Sequence, residues 1–259
     1  MIGIFDSGLG GLTAYKELHA LLPAGDFVYF GDTGRVPYGS RSREILTRYA
    51  RQDIRFLLRP GADVILAACG TVSSVVLDDI KSDFSIPLFG VVDASVNAAL
   101  AATKNEKIGV IGTGATISSG AFAKKIAAAN PHAAVTSIAC PLFVPLVENG
   151  YIGRGCTVTR EVAADYLAPL RDEGIDTLIL GCTHFPIIAD IIGDLLPGVT
   201  LVNSGAAAAA EVAAVCGKTS GSGSASFFVS DSPVNFDTVA RVFLGGETIR
   251  AQKVDIEAY

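Results

Sequence analysis

Short, strongly apolar runs recur along the chain, separated by stretches of helical periodicity. Ile2 to Phe5, Phe27 to Phe30, Val64 to Ala68 and Leu88 to Val92 read as buried strands, since each is apolar and bounded by turn-forming residues. Between them, Leu12 to Leu22, Arg43 to Leu58 and Ser73 to Lys81 read as helices. A second βα series starts at Ile108 to Ile111. It continues through a helix at Ser118 to Ala129, a strand at Ala134 to Ile138, a helix at Arg160 to Arg171 and a strand at Leu178 to Leu180. The tail predicts an Ala-rich helix from Ala206 to Cys216, an exposed Gly/Ser loop within Lys218 to Ser226, a strand at Phe227 to Ser230 and a helix at Phe236 to Leu244.

The two series look like copies. Gly61-Ala62-Asp63-Val64-Ile65-Leu66-Ala67-Ala68-Cys69 resembles Gly174-Ile175-Asp176-Thr177-Leu178-Ile179-Leu180-Gly181-Cys182, and Ile2 to Gly8 resembles Ile108 to Gly114. Alternating strands and helices predict an α/β fold with mainly parallel sheets, whose ligands sit at the carboxyl ends of the strands. One domain is expected to hold residues 1–93 and, through a returning tail, 206–259; the other holds 94–205. Each contributes one strand-end thiol, so two thiols can bracket one ligand between the domains. Inversion of a carbon centre needs this arrangement, one group removing a proton from one face and the other delivering one to the opposite face. A strand-end cysteine can also be plain packing, and the duplicated placement is what favours chemistry.

Composition narrows the partners. The chain has 259 residues, a net charge of −6 and five cysteines without a disulfide framework. The acidic balance gives no general attraction to nucleic acid or to an anionic membrane. Reduced thiols and the absence of a signal-peptide pattern or an apolar run of spanning length point to a cytoplasmic protein.

Several motifs carry competing readings. Asp6-Ser7-Gly8-Leu9-Gly10-Gly11 follows the first strand, but its glycine spacing is not that of a dinucleotide fingerprint. Asp6 can cap a helix, orient a substrate ammonium or assist a thiol. Gly217-Lys218-Thr219-Ser220 lacks the earlier glycine of a phosphate loop. His184, one of three histidines, adjoins Cys182 and can help form a thiolate or cap the next helix. Zinc is disfavoured, because neither copy supplies clustered ligands. In the loop Gly31 to Ser40, the Tyr38 hydroxyl and Gly39 amide can bind a carboxylate, and Arg35 can do so or form a surface pair. Glu148 is a helix-end carboxylate or a catalytic support.

These residues carry a resemblance. Phe5 to Leu12, Gly31-Asp32-Thr33 with Val36-Pro37-Tyr38-Gly39, Cys140 to Glu148, and Leu180-Gly181-Cys182-Thr183-His184-Phe185-Pro186 are similar to segments of bacterial glutamate racemases, in the cofactor-independent aspartate/glutamate racemase superfamily. The resemblance implies two pseudosymmetric α/β domains with the active site between them, and interconversion of L- and D-glutamate without pyridoxal phosphate, supplying peptidoglycan synthesis. It implies Cys69 and Cys182 as the catalytic thiols, assisted by Asp6, His184 and Glu148. Asp6, Ser7, Tyr38, Gly39, Gly70, Thr71, Thr183 and His184 fall at substrate positions, and Thr113 and Thr116 are expected to line the same pocket. A homodimer is compatible with the resemblance. One departure stands out: the family reads Cys-Asn-Thr where this chain has Cys69-Gly70-Thr71. A buried substrate group left without its partner costs about 1 to 3 kcal/mol. That departure keeps two further readings open, a racemase of aspartate or a related amino acid and a weakly catalytic member with a binding or regulatory role.

Overall fold

The computed structural model describes residues 1–259, apart from the side chains of residues 235 and 238. The chain opens with β1 (Ile2–Asp6), α1 (Leu12–Leu21), β2 (Phe27–Gly31), α2 (Arg43–Leu58), β3 (Val64–Ala67), α3 (Gly70–Val75), α4 (Leu77–Ile80) and β4 (Leu88–Gly90). It continues with α5 (Val91–Ala102), β5 (Lys107–Gly112), α6 (Gly114–Ser119), α7 (Ala121–Ala129), β6 (Ala134–Ala139), α8 (Phe143–Glu148), α9 (Thr157–Asp172), β7 (Thr177–Leu180), α10 (Ala189–Leu195) and β8 (Thr200–Asn203). The tail adds α11 (Ser204–Cys216), β9 (Ala225–Val229), α12 (Pro233–Phe243) and β10 (Ala251–Lys253).

Two sheets form, with strand orders β10-β9-β2-β1-β3-β4 and β6-β5-β7-β8, and the described pairings are all parallel. The run β2-β1-β3-β4 has the same order as β6-β5-β7-β8, so the repeat seen in the sequence is a repeat of topology. Registers agree as well: Ile2 of β1 pairs with Val64 of β3, and Ile108 of β5 with Thr177 of β7. In each copy the thiol stands two residues beyond its strand.

Strand alternation explains the continuous apolar runs. Ile2, Ile4, Val64 and Leu66 point into one core, while Phe5, Ile65 and Ala67 point into another on the opposite face of the same sheet. The first of these cores is continuous between the sheets, joining Ile4 and Leu12 to Leu178, Leu180 and Phe185. Ala-rich α11 packs closely on α1, where a Cβ at Gly205 would lie 3.2 Å from the Ala14 side chain. Asn203 caps α11 by accepting from the Gly205 and Ala206 amides.

Some expected elements differ. The β4 strand stops at Gly90, because Val91 already begins α5; residues 93 and 94 lie inside that helix, and residue 205 inside α11. The chain therefore passes between the sheets on two helices packed against each other. The helix expected over 73–81 is the pair α3 and α4 interrupted at Val76, and that over 118–129 is α6 and α7, broken by Gly120 at φ 66°. The Gly/Ser loop is tied down, since Asp26 accepts hydrogen bonds from the backbone and hydroxyls of Ser222 and Ser224.

Candidate active site

Parallel strands aim their carboxyl ends, and the helix starts that follow, toward the same side of a sheet. In the larger sheet these ends carry Asp6 and Cys69, in the smaller Thr113 and Cys182. The two rims face each other across a cavity of about 490 Å³, which is also lined by Ser7, Tyr38, Gly39, Gly70, Thr71, Glu148, Thr183 and His184.

Cys69 is 5% exposed and precedes α3. Its thiol donates to Ser7 Oγ at 3.7 Å. Burial, reinforced by the neighbouring Asp6 carboxylate, pushes this thiol up to about 12. Asp6 ends β1; its Oδ2 accepts from the Gly8 amide at 3.0 Å, while Oδ1 is buried with no protein partner. Burial raises the Asp6 carboxyl above its ordinary value, outweighing the attraction of His184 and the Gly8 and Gly11 amides. An unpartnered carboxylate oxygen inside a cavity is the kind of acceptor an ammonium group satisfies.

The opposite wall is built otherwise. Cys182 Sγ lies 3.9 Å from His184 Nδ1, and His184 Nε2 lies 2.9 Å from Glu148 Oε1. Glu148 closes α8, which packs on the turn Phe185–Ile188 that follows the histidine. Burial works against an imidazolium here, yet the hydrogen bonds to Cys182 and Glu148 prevail and lift His184 to about 10. The protonated form of His184 is thereby favoured, with the Cys182 sulfur and the Glu148 carboxylate as its two partners. Its side chain makes no capping bond, so the capping alternative falls away.

Other candidates are placed unevenly. Thr71 Oγ1 and Thr113 Oγ1 are 3.0 Å apart, a contact between the two rims. Thr116 is buried behind Thr113, bonded to its hydroxyl at 3.0 Å and away from the cavity wall, so it orients Thr113 instead of lining the pocket. Tyr38 lines the cavity, but its hydroxyl donates to Asp32 and Asp53, which corrects the expectation that this hydroxyl is free for a carboxylate. Arg35 is drawn inward as well: Nε bonds Asp32 at 2.6 Å and Nη2 bonds Asp53 at 3.0 Å. With two buried carboxylates to pair, it anchors the loop from beneath, while its Nη1 also reaches the exposed Glu257 at 3.3 Å, so the expected surface pair is present alongside the buried ones. Several wall residues were not given a role from sequence, among them Cys140, whose thiol burial pushes up to about 12, and Gly181. Both lie in segments that carry the resemblance, but neither residue type by itself points to a pocket wall. Among the described residues, no group of three or more His, Cys, Asp or Glu side chains is arranged to hold a metal ion.

Comparison with known proteins agrees with this geometry. The Asp/Glu/hydantoin racemase family model matches residues 17–212. The chain is 43% identical over 264 residues to the glutamate racemase of Geobacter metallireducens, covering 99% of this chain and 97% of that one. Its fold is similar to the crystal structure of glutamate racemase from Francisella tularensis in complex with D-glutamate, with a TM-score of 0.90 and 35% identity over 100% of this chain and 98% of that one. A glutamate racemase isoform of Bacillus anthracis is similar with a TM-score of 0.93 and 34% identity, covering 98% of this chain and 97% of that one.

Proposed function

We infer, from the premise that this chain belongs to the Asp/Glu/hydantoin racemase family, that it interconverts L- and D-glutamate by passing protons between two thiols and the substrate α-carbon. The observation that carries this reading is the placement of Cys69 and Cys182 beyond equivalent strands, on opposite rims of one cavity.

In the L-to-D direction the Cys182 thiolate removes the α-proton and the Cys69 thiol donates its own to the opposite face. The turnover leaves Cys182 protonated and Cys69 as thiolate, so proton exchange with solvent or a reverse turnover must reset the pair. His184 stabilises charge on Cys182 and is held by Glu148. A Cys69 thiol at about 12 is loaded as an acid at neutral pH. As the base of the reverse direction it needs help, and the substrate ammonium supplies part of it by neutralising Asp6, which adds to burial in raising Cys69. Thr71, Thr113, Thr183 and the Tyr38–Gly39 segment surround the remaining carboxylates of the substrate. No cofactor enters these steps. The reading places the enzyme in the cytoplasm, supplying D-glutamate for peptidoglycan, and takes it to be a homodimer, which sedimentation tests. Among the described residues no helix is long and apolar enough to cross a membrane.

The test is NMR in deuterated buffer with L-glutamate and, separately, D-glutamate. Wild type is expected to place deuterium on the α-carbon with inversion, and Cys69→Ala and Cys182→Ala to abolish inversion. Faster exchange of aspartate would move the substrate; no exchange by folded wild type with either amino acid would leave a binding role.

A further inference from the structure

Gly70 stands where the two rims touch. A Cβ built on it would lie 2.2 Å from the carbonyl oxygen of Gly181, about 1 Å closer than atoms in ordinary contact. Two other glycines of the larger-sheet side also meet the opposite side, but differently. A Cβ at Gly10 would lie 2.0 Å from the Thr183 hydroxyl and 2.6 Å from the His184 ring, and one at Gly39 3.1 Å from Thr113; these are all side chains, of which the threonines can turn aside while His184 is held by Glu148. Gly181 offers no such escape: its carbonyl belongs to the backbone, its amide donates to Ile111 O at 2.8 Å, and a Cβ of its own would lie 2.7 Å from that oxygen. Gly70 is equally constrained as the first residue of α3. Each glycine is also the chain neighbour of a thiol, Gly70 of Cys69 and Gly181 of Cys182, so neither can shift without moving sulfur.

We infer that Gly70 is a positioning residue that sets the closure of the two rims: the absence of its side chain lets the thiol-bearing loops meet backbone to backbone and thereby fixes the separation of Cys69 and Cys182. The Gly181 carbonyl then fills the volume that an Asn side chain at this position would need. Gly70 is therefore more than a lost substrate contact, and the two views predict opposite results. If only an amide were missing, Gly70→Asn would restore it and raise activity, whereas Gly70→Ala would do nothing. If Gly70 sets closure, either side chain props the rims apart. Proton transfer is steep in distance, and a misplacement on the order of 1 Å costs roughly a hundredfold.

This inference rests on the racemase reading for its kinetic arm only; a second arm depends on no substrate. Wild type, Gly70→Ala and Gly70→Asn are compared by racemisation kinetics in both directions and by the rate at which iodoacetamide alkylates Cys69 and Cys182, resolved by peptide mass spectrometry on protein without ligand. Expected results are a kcat reduced roughly tenfold in Gly70→Ala and roughly a hundredfold in Gly70→Asn. Alkylation of both thiols should rise about tenfold, with Cys156 and Cys216 as internal references that do not change. Unchanged alkylation, or a Gly70→Asn enzyme as active as wild type, overturns the inference. So does failure of both variants to fold, shown by circular dichroism, because a residue that sets only closure leaves each sheet intact. If wild type does not racemise glutamate but alkylation still rises, the closure role stands and the substrate reading falls.

Discussion

Cys69 and Cys182 stand two residues beyond equivalent strands, β3 and β7, yet the first has a buried carboxylate for its polar neighbour and the second an imidazole backed by Glu148. Repeated topology supplies two equivalent strand-end thiols; the residues added afterwards make them unlike. At the Cys69 end Asp6 carries a buried oxygen that accepts no hydrogen bond from the protein. At the Cys182 end the histidine has a partner on each ring nitrogen. Symmetry of outcome does not require symmetry of parts. L- and D-glutamate have equal free energy, and any variant must lose kcat/KM equally in both directions.

The comparison breaks hardest at sulfur. Cys69→Ser and Cys182→Ser should each lower racemisation roughly 10²- to 10⁴-fold, since a hydroxyl is a far weaker proton carrier than a thiol at neutral pH. A single serine variant with near wild-type turnover would mean that one thiol suffices. The next largest effects distinguish the ends. Asp6→Asn and His184→Asn should each cost about 10- to 100-fold in kcat. Their primary isotope effects should part company: α-deuterated D-glutamate is slowed more by Asp6→Asn, and α-deuterated L-glutamate more by His184→Asn. Equal effects on both enantiomers in both variants would erase the assignment of faces. Asp6→Asn should also stabilise the fold at neutral pH, read as a higher melting temperature, because the folded state raises this carboxyl and its ionisation opposes folding.

Glu148→Gln acts more gently. The folded state holds His184 near 10 against an ordinary 6.5, so its pairing contributes stability that is whole below pH about 6.5 and is lost as pH rises through about 10. Wild type should therefore lose thermal stability between pH 7 and 10 more steeply than Glu148→Gln, measured by melting temperature, and the variant should lose about threefold to tenfold in kcat. An identical pH slope in the two proteins would show that Glu148 does not hold the proton on His184. Ser7→Ala is the mildest change. It removes one long contact to Cys69 at 3.7 Å and should cost about 1 kcal/mol or less, within roughly fivefold in kcat, read most clearly with D-glutamate.

How far the sequence reveals this site depends on how local the determinant is. Strands β1, β3, β5 and β7 are legible as apolar runs because helices cover both faces of each sheet, and the repeated Cys position follows from β3 and β7 having the same length. β10 is not legible: Ala-Gln-Lys has no apolar pattern, and it forms a strand only because β9 offers an edge. The pairing of Glu148 with His184 spans 36 residues and depends on how α8 docks, which no spacing encodes. Tyr38 and Arg35 are legible as polar loop residues, but their direction is set by Asp53, a carboxylate hidden in what reads as an ordinary helix. The departure at Gly70 is visible at once in the sequence. Its meaning is not, since Gly181 lies 111 positions away and touches it through backbone alone.

The strand order also bears on the order in which a growing chain can complete itself. The smaller sheet uses strands contiguous in sequence, between residues 107 and 203, whereas the larger one is begun at residue 2 and finished by β9 and β10. Until residues 225–229 emerge from the ribosome, the outer side of β2 remains an open edge of unpaired amides and carbonyls, with Phe27, Tyr29 and Phe30 on the same strand. The half translated first is thus the half completed last, and the interval before β9 arrives is when a nascent chain has most to gain from a chaperone and most to lose by meeting another copy of itself.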